Sequence, residues 1–368
     1  MTRFRPTFVE VDLDAVRHNV RLLKPERAEL LAVVKADGYG HGDAPVARAA
    51  LQAGATRLGV ALVEEGLGLR ERGIEAPILV LSELPAGSEK EALAAGLTPS
   101  VFTPDGLARA AEAAGAIGRA VGVHLKLDTG MHRVGLWPPE RAPEFARRIL
   151  DAGLELEGLW THFAASEEDE LGTREQLGRL LSARDGLAAD GIAASMLHAA
   201  NSAATLLYPE THLDLVRPGA AVYGLDPGGG IGPRAGLRPA LSWRSAVTMV
   251  KRLPAAERLS YGRRYALERE STVATVPVGY GDGYPRALGG RAEVLIGGRR
   301  HPVAGTVTMD QLLVDCGDSE VAAGEEVVLL GAQGAERITA EELAGHLGTI
   351  GYEIVTAISE RVPREYVG

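Results

Sequence analysis

The 368-residue chain has one cysteine, Cys316, and two asparagines, Asn19 and Asn201. A single thiol cannot close an internal disulfide, so a reducing, cytoplasmic setting is expected. Scarce amides beside many charged residues fit a thermophile, although a GC-rich genome leaves a similar mark. Basic residues are in deficit: 39 Lys and Arg face 49 Asp and Glu, a formal net charge of -10. With no basic surplus and no cluster of Lys and Arg, nucleic acid and membrane surfaces are not expected as partners. No apolar run is long enough to span a bilayer, and the opening MTRFRPTFVEVDL lacks the apolar stretch of a signal peptide.

What is present is ordinary for a globular protein: 46% hydrophobic and 24% charged residues. The length exceeds one ordinary core and predicts a large domain plus a second. Strand-like and helix-like segments alternate from Val9 to Gly224, with strands expected at residues 8–13, 31–34, 58–62, 78–81, 100–102, 121–127, 156–163, 196–198 and 215–216. Regular βα alternation with parallel-type strands predicts a (β/α)8 TIM barrel over residues 8–234. An open doubly wound sheet is the alternative, but no G-x-G-x-x-G opens a helix after the first strand. Beyond the Gly/Pro-rich run at 226–239 the pattern changes to β-branched strands with turns between them. Residues 235–368 therefore read as a mostly β domain, which residues 1–7 could join. One helix is expected there, at 339–346, opened by a capping box of Thr339 and Glu342.

The stretch AVVKADGYGHG, residues 32–42, holds the first chemical candidate. A buried strand runs into Lys35, which places its amine at the mouth of the sheet. Partial burial disfavours the ammonium and frees a nucleophilic, imine-forming amine, whose usual cofactor partner is pyridoxal phosphate. Tyr39 follows closely, and Gly38, Gly40 and Gly42 let the backbone pass near a ligand. In VHLKLDTGMHRVG, His124, Lys126 and Asp128 alternate with apolar residues and share one face. That face is either a barrel lumen or a solvated surface. Arg133 follows in a Gly-flanked turn, suited to gripping a carboxylate or a phenol oxygen. His162 ends LEGLWTHF, where a structural role is the ordinary reading. Ser202 in LHAANSA is a helix-cap candidate and a phosphate contact. Arg217, Gly219 and Ala220 in LVRPGAAVYGL could serve an anion from a strand end.

These segments, together with SYGRRY around Tyr261, VGYGDGYP around Tyr280, GTVTMDQ around Met309 and GYEI around Tyr352, stand in one order along essentially the whole chain. In that order they resemble alanine racemases, barrel-type pyridoxal-phosphate enzymes. The resemblance implies interconversion of L- and D-alanine, with D-alanine destined for bacterial cell-wall peptidoglycan. It implies that Lys35 holds the cofactor and acts on D-alanine, while Tyr261 is the opposing base acting on L-alanine. Inverting a planar carbanion needs a proton donor on each face, and a lysine and a phenol suffice. By the same resemblance Arg217 faces the pyridine nitrogen, and a chain from Tyr261 through His162 to Arg217 stabilises the phenolate. Arg133 meets the ring hydroxyl and the substrate carboxylate. Tyr39, Ser202, Gly219, Ala220 and Tyr352 contact the phosphate. Met309 holds substrate, Tyr280 narrows the entrance, and Lys126 matches a position that is often carbamylated. A homodimer with shared active sites is implied, with Tyr261, Tyr280 and Met309 reaching the other subunit's barrel; no metal is implied. His132 and Ala220 depart from the commoner glycine and larger aliphatic. A broader racemase acting on serine, a barrel-type decarboxylase with a cysteine donor, and a non-catalytic cofactor carrier are the competing readings. Cys316 in LLVDCG reads as core, and a carrier has no use for Tyr261.

Overall fold

The computed structural model describes residues 4–368, and its first strand, β1 (Phe8–Asp12), stands apart from the eight that follow. Those eight are β2 (Glu29–Val33), β3 (Arg57–Val60), β4 (Ile78–Glu83), β5 (Leu97–Val101), β6 (Gly122–Lys126), β7 (Glu155–Trp160), β8 (Met196–His198) and β9 (Leu215–Val216). They pair in parallel in chain order, and β9 closes on β2 with Glu29 opposite Leu215 and Leu30 opposite Val216. The expected barrel is therefore present. It forms one compact unit, Ala15–Gly38 with Gly42–Arg238.

Local sequence explains the alternation. Barrel strands are covered on both faces and carry continuous apolar runs, as in Leu30 to Val34, all buried. The intervening helices are one-sided: Ala142–Asp151 buries Phe145, Ala146 and Ile149. Pro104–Ile117 starts after Thr103, whose hydroxyl accepts from the Gly106 amide at 3.0 Å, and stops at left-handed Gly118.

The second unit comprises the described residues up to Asp14, Tyr39–His41 and Pro239–Gly368. β1 belongs here rather than to the barrel domain, which corrects the expected boundary at residue 8; residues 1–3 lie outside the described residues. It pairs antiparallel with β10 (Leu241–Ala246), Val9 opposite Trp243, and parallel with Arg364–Val367. The reason is visible in its pattern: Val9 and Val11 are buried while Phe8, Glu10 and Asp12 are not. Such alternation suits a strand covered on one face only. The sheet continues from β10 through Glu326–Gln333 and Glu293–Ile296 to Arg299–Pro302. A three-stranded sheet joins Met249–Leu253, Ser271–Val276 and Leu312–Gly317. Thr339 caps Ala340–Leu347 as expected, accepting from the Glu342 amide at 3.1 Å. Gly351–Thr356 is an additional helix in a region expected to hold one. Among the described residues, no helix is long and apolar enough to cross a membrane.

A hydrogen bond ties the turn after β9 to the end of β2, the strand that leads into Lys35: buried Tyr223 donates its hydroxyl to the Val33 carbonyl at 2.9 Å. Tyr223→Phe should lower stability by about 1–2 kcal/mol, because the carbonyl loses its partner in a dry setting. A urea denaturation midpoint unchanged from the parent would contradict this.

Candidate active site

Register sets one row of the barrel interior. Lys126 lies opposite Trp160, and Trp160 opposite His198, across β6, β7 and β8. Contacts between non-adjacent strands show that these side chains meet inside the lumen: His124 of β6 bonds His198 of β8, and Arg217 beyond β9 sits 4.6 Å from the Trp160 ring centroid. The Lys126 ammonium nitrogen lies 4.3 Å from the same centroid, and His198 stacks on the indole at 5.4 Å. Of the two placements open to the His124–Lys126 face, the structure takes the lumen. Asp128 has left the strand and accepts the amides of Gly130 and His132 at 3.0 Å each.

Lys35 follows β2 and Val34 and opens a left-handed turn. Ala36, Asp37, Gly38 and Tyr39 have φ of 53, 51, 58 and 53°. L-residues with side chains resist this conformation by roughly 1–2 kcal/mol each. The turn is pinned by Gly38 N–H to the Val34 carbonyl at 3.0 Å, Gly42 N–H to the Asp37 carbonyl at 2.8 Å, and Ala36 N–H to Glu65 at 2.6 Å. The glycines signalled a tight turn, but nothing local in Ala36 or Asp37 announced the left-handed hand. Glu65 was not anticipated either; it also accepts the amides of Ala61 and Leu62 and so fixes its own helix to the Lys35 turn.

Charge is concentrated here. Burial, then Arg133, pulls the Lys35 amine below the usual lysine range, with Glu65 opposing. Lys126 falls to about 7 through burial and the nearby Arg217, Arg133 and Lys35. His162 is held well below its ordinary value by burial and the same cations, so it is neutral. Burial lowers Arg217 to about 9, which leaves it cationic at neutral pH. Its guanidinium donates to His198 Nδ1 at 2.8 Å and to the Thr161 and Ala199 carbonyls at 2.7 and 3.0 Å. The histidine bonded to Arg217 is thus His198, where His162 was expected. His198 ends a strand, but LHAANSA offered no reason to separate it from a packing residue.

Ser202 also differs from expectation. Asn201 is the helix cap, its side chain accepting from the Ala204 amide, while the Ser202 hydroxyl accepts the amides of Gly219 and Ala221 at 2.9 and 3.2 Å. Gly219 N–H is therefore engaged within the protein, and Ser202 Oγ keeps its own proton to give. Ala220 is buried between them.

In the β unit, Tyr39 meets Tyr352 edge to face at 6.1 Å, and burial lifts the Tyr39 phenol to about 12. Tyr261, Tyr280 and Met309 are 74, 42 and 53% exposed. They share one framework: Thr306 Oγ1 donates to the Tyr261 carbonyl, Tyr280 N–H to Thr308, and Gly281 N–H to Met309. Cys316 is buried and its thiol is pushed up to about 12, an unreactive state.

Folded Lys126 releases its proton near 7, whereas an unfolded lysine holds it to about 10.4. Between those values unfolding takes up a proton, so this residue makes stability rise with pH. In carbon-dioxide-free buffer, which keeps the amine unmodified, Lys126→Met should flatten that rise and exceed the parent's stability near pH 6. Urea denaturation from pH 6 to 9 measures both, and parallel curves would refute a poorly compensated buried amine.

Two family models match the chain: the alanine racemase N-terminal domain over residues 11–227 and the C-terminal domain over 240–366. Alanine racemase of Symbiobacterium thermophilum is 52% identical, covering 99% of this chain and 98% of its own, and that of Frankia casuarinae is 47% identical over 97% and 95%. Among solved structures, alanine racemase from D-cycloserine-producing Streptomyces lavendulae superposes with a TM-score of 0.94 at 42% identity, covering 100% of this chain and 98% of that one. The Bacillus anthracis alanine racemase with bound L-Ala-P gives 0.93 at 40% identity, over 100% and 96%. Fold, family models and relatives spanning the full length agree, and the chain belongs to the alanine racemase family.

Proposed function

We propose that this chain interconverts L-alanine and D-alanine with pyridoxal phosphate held at Lys35. One observation carries the reading: the barrel gathers Lys35, Lys126, Arg133 and Arg217 within electrostatic reach of one another, with Asp128 and Glu65 as the opposing carboxylates. Such a cationic surplus, with Lys126 and Arg217 buried, calls for anionic guests. A phosphate and an amino-acid carboxylate supply them.

The residues fit that cofactor. Lys35 offers the amine, Arg217 a buried donor for the ring nitrogen, and Arg133 a donor for the ring hydroxyl. The free proton of Ser202, the Ala220 amide and the phenols of Tyr39 and Tyr352 are donors for the phosphate; Gly219, already bonded to Ser202, contributes through backbone shape. When bound, the cofactor supplies an electron sink for the α-carbon, kept modest because Arg217 donates a hydrogen bond without yielding its proton.

Lys35 moves the α-proton on the D side and Tyr261 on the L side. Burial and Arg133, by lowering the lysine pKa, raise the share of neutral amine that can act as a base. Arg133 and Met309 orient the substrate, and Tyr280 narrows the approach. His162, neutral among these cations, is an uncharged hydrogen-bonding side chain available to the Tyr261 phenol. The exposure of Tyr261, Tyr280 and Met309 supports a homodimer in which each β unit completes its partner's barrel. A carbamate on Lys126 would add an anion beside Arg133 and Arg217, and an amine titrating near neutrality is able to take up carbon dioxide. The absence of any membrane-crossing helix among the described residues and the lone thiol support a cytoplasmic enzyme that supplies D-alanine for peptidoglycan.

Two measurements test this. The purified protein with pyridoxal phosphate should absorb near the violet edge of the visible, and Lys35→Ala should lose the band; a colourless parent would end the cofactor assignment. Tyr261→Phe should keep the colour but slow α-proton exchange from L-alanine far more than from D-alanine. Equal losses in both directions would rule out one base per face. Running the exchange assay across several amino acids separates an alanine enzyme from a broader one that also accepts serine.

A further inference from the structure

A fully buried guanidinium ordinarily needs a carboxylate, yet every hydrogen bond of Arg217 goes to an imidazole or a carbonyl. The nearest anion along a connected path lies two histidines away. Arg217 Nη1 is 2.8 Å from His198 Nδ1, His198 Nε2 is 2.8 Å from His124 Nδ1, and His124 Nε2 is 3.7 Å from Glu157 Oε1. Arg57 grips the same Glu157 oxygen at 2.6 Å and also reaches Glu29 at 3.2 Å. The cluster of Arg57, Glu29 and Glu157 thus carries one net negative charge.

Donor logic sets a direction. Arginine has no acceptor, so His198 Nδ1 accepts, and the proton of the neutral ring sits on Nε2. That proton is given to His124 Nδ1, which leaves the His124 proton on Nε2, facing Glu157. Protonating either ring would set one N–H against another inside the line. Burial, helped by Arg217 and Arg57, draws both rings below the ordinary imidazole range, with Glu157 opposing at His124.

The backbone is cut to admit this line. A Cβ at Gly158, on the strand between the two histidines, would lie 2.3 Å from His124 Nδ1. A Cβ at Gly122 would lie 2.5 Å from Glu157 Oε2. Gly158 lies inside β7, where the residue weakens a sheet unless close approach requires it, and Gly122 opens β6.

We propose that His198, His124 and Glu157 form a directional line that positions Arg217 and links it to a distant anion, both histidines carrying their proton on Nε2. These are positioning residues, and the proposal rests on the reading of Arg217 as the group facing the cofactor ring. The line fixes the guanidinium plane and uses one Nη1 donor; with Nη2 given to the Thr161 and Ala199 carbonyls, Nε–H and the second Nη1–H are left for a guest. The other charged groups facing it are Lys126 across the Trp160 ring and Arg57 and Glu29 at the outer end.

The test uses the full chain labelled with 15N-histidine, with and without added pyridoxal phosphate. Nitrogen shifts should show His124 and His198 as neutral Nε2–H tautomers, unchanged from pH 6 to 8. An Nδ1–H tautomer, or titration of either ring in that range, overturns the line. Glu157→Gln keeps an acceptor and removes the charge. It should preserve the His198 tautomer and lower kcat for alanine severalfold, with KM within about twofold, because the charge that His124 Nε2–H faces across 3.7 Å is lost. An undiminished kcat overturns the role of the anion. Should the parent fail to racemise alanine, the functional reading falls, while the nitrogen shifts still decide the tautomers on their own.

Discussion

Positive charge held inside a closed barrel is the constraint around which this molecule is arranged. Lys35, Lys126 and Arg217 lie at the ends of β2, β6 and β9, Arg133 stands exposed in the loop after β6, and the closure of β9 on β2 brings these strand ends together. Burial draws Arg217 down to about 9, and burial together with the neighbouring cations brings Lys126 to about 7 and keeps His162 neutral. A cluster of this kind is costly in the empty protein and favourable once anions arrive, which is the sense in which the site is prepared for its guests.

The Lys35 turn shows the same exchange of local cost for position. Left-handed backbone through Ala36 and Asp37 is tolerated because Glu65, Val34 and Gly42 hold it from three directions. The β unit contributes exposed groups in place of buried ones. Tyr261, Tyr280 and Met309 are held by a hydrogen-bonded framework while their side chains remain open to solvent.

Legibility followed the range of the interactions. The apolar runs, the Thr339 cap and the parallel-strand rhythm are local, and they read through to the barrel and to Ala340–Leu347. β1 carried a legible signal in its alternation of buried and open positions, which separates it from the two-sided barrel strands. Lys35, Arg133 and Arg217 were recognisable because reactive and anion-binding side chains at strand ends next to glycine turns are unusual. Asn201 and Ser202 were told apart only by which side chain reached Ala204 and which reached Gly219. Glu65 and Glu157 lay in helix and strand segments with nothing to distinguish them from solvated acids.

Sequence alone determined the order of elements, the two-part organisation, the family resemblance and the choice of Lys35 as the candidate amine, since these depend on residue type and short spacings. Tertiary structure decided which histidine bonds Arg217, which hydroxyl caps a helix, and which glycines make room for an imidazole and a carboxylate. Those choices depend on contacts between β6, β7, β8 and β9, strands that are far apart in the chain and meet only when the barrel closes.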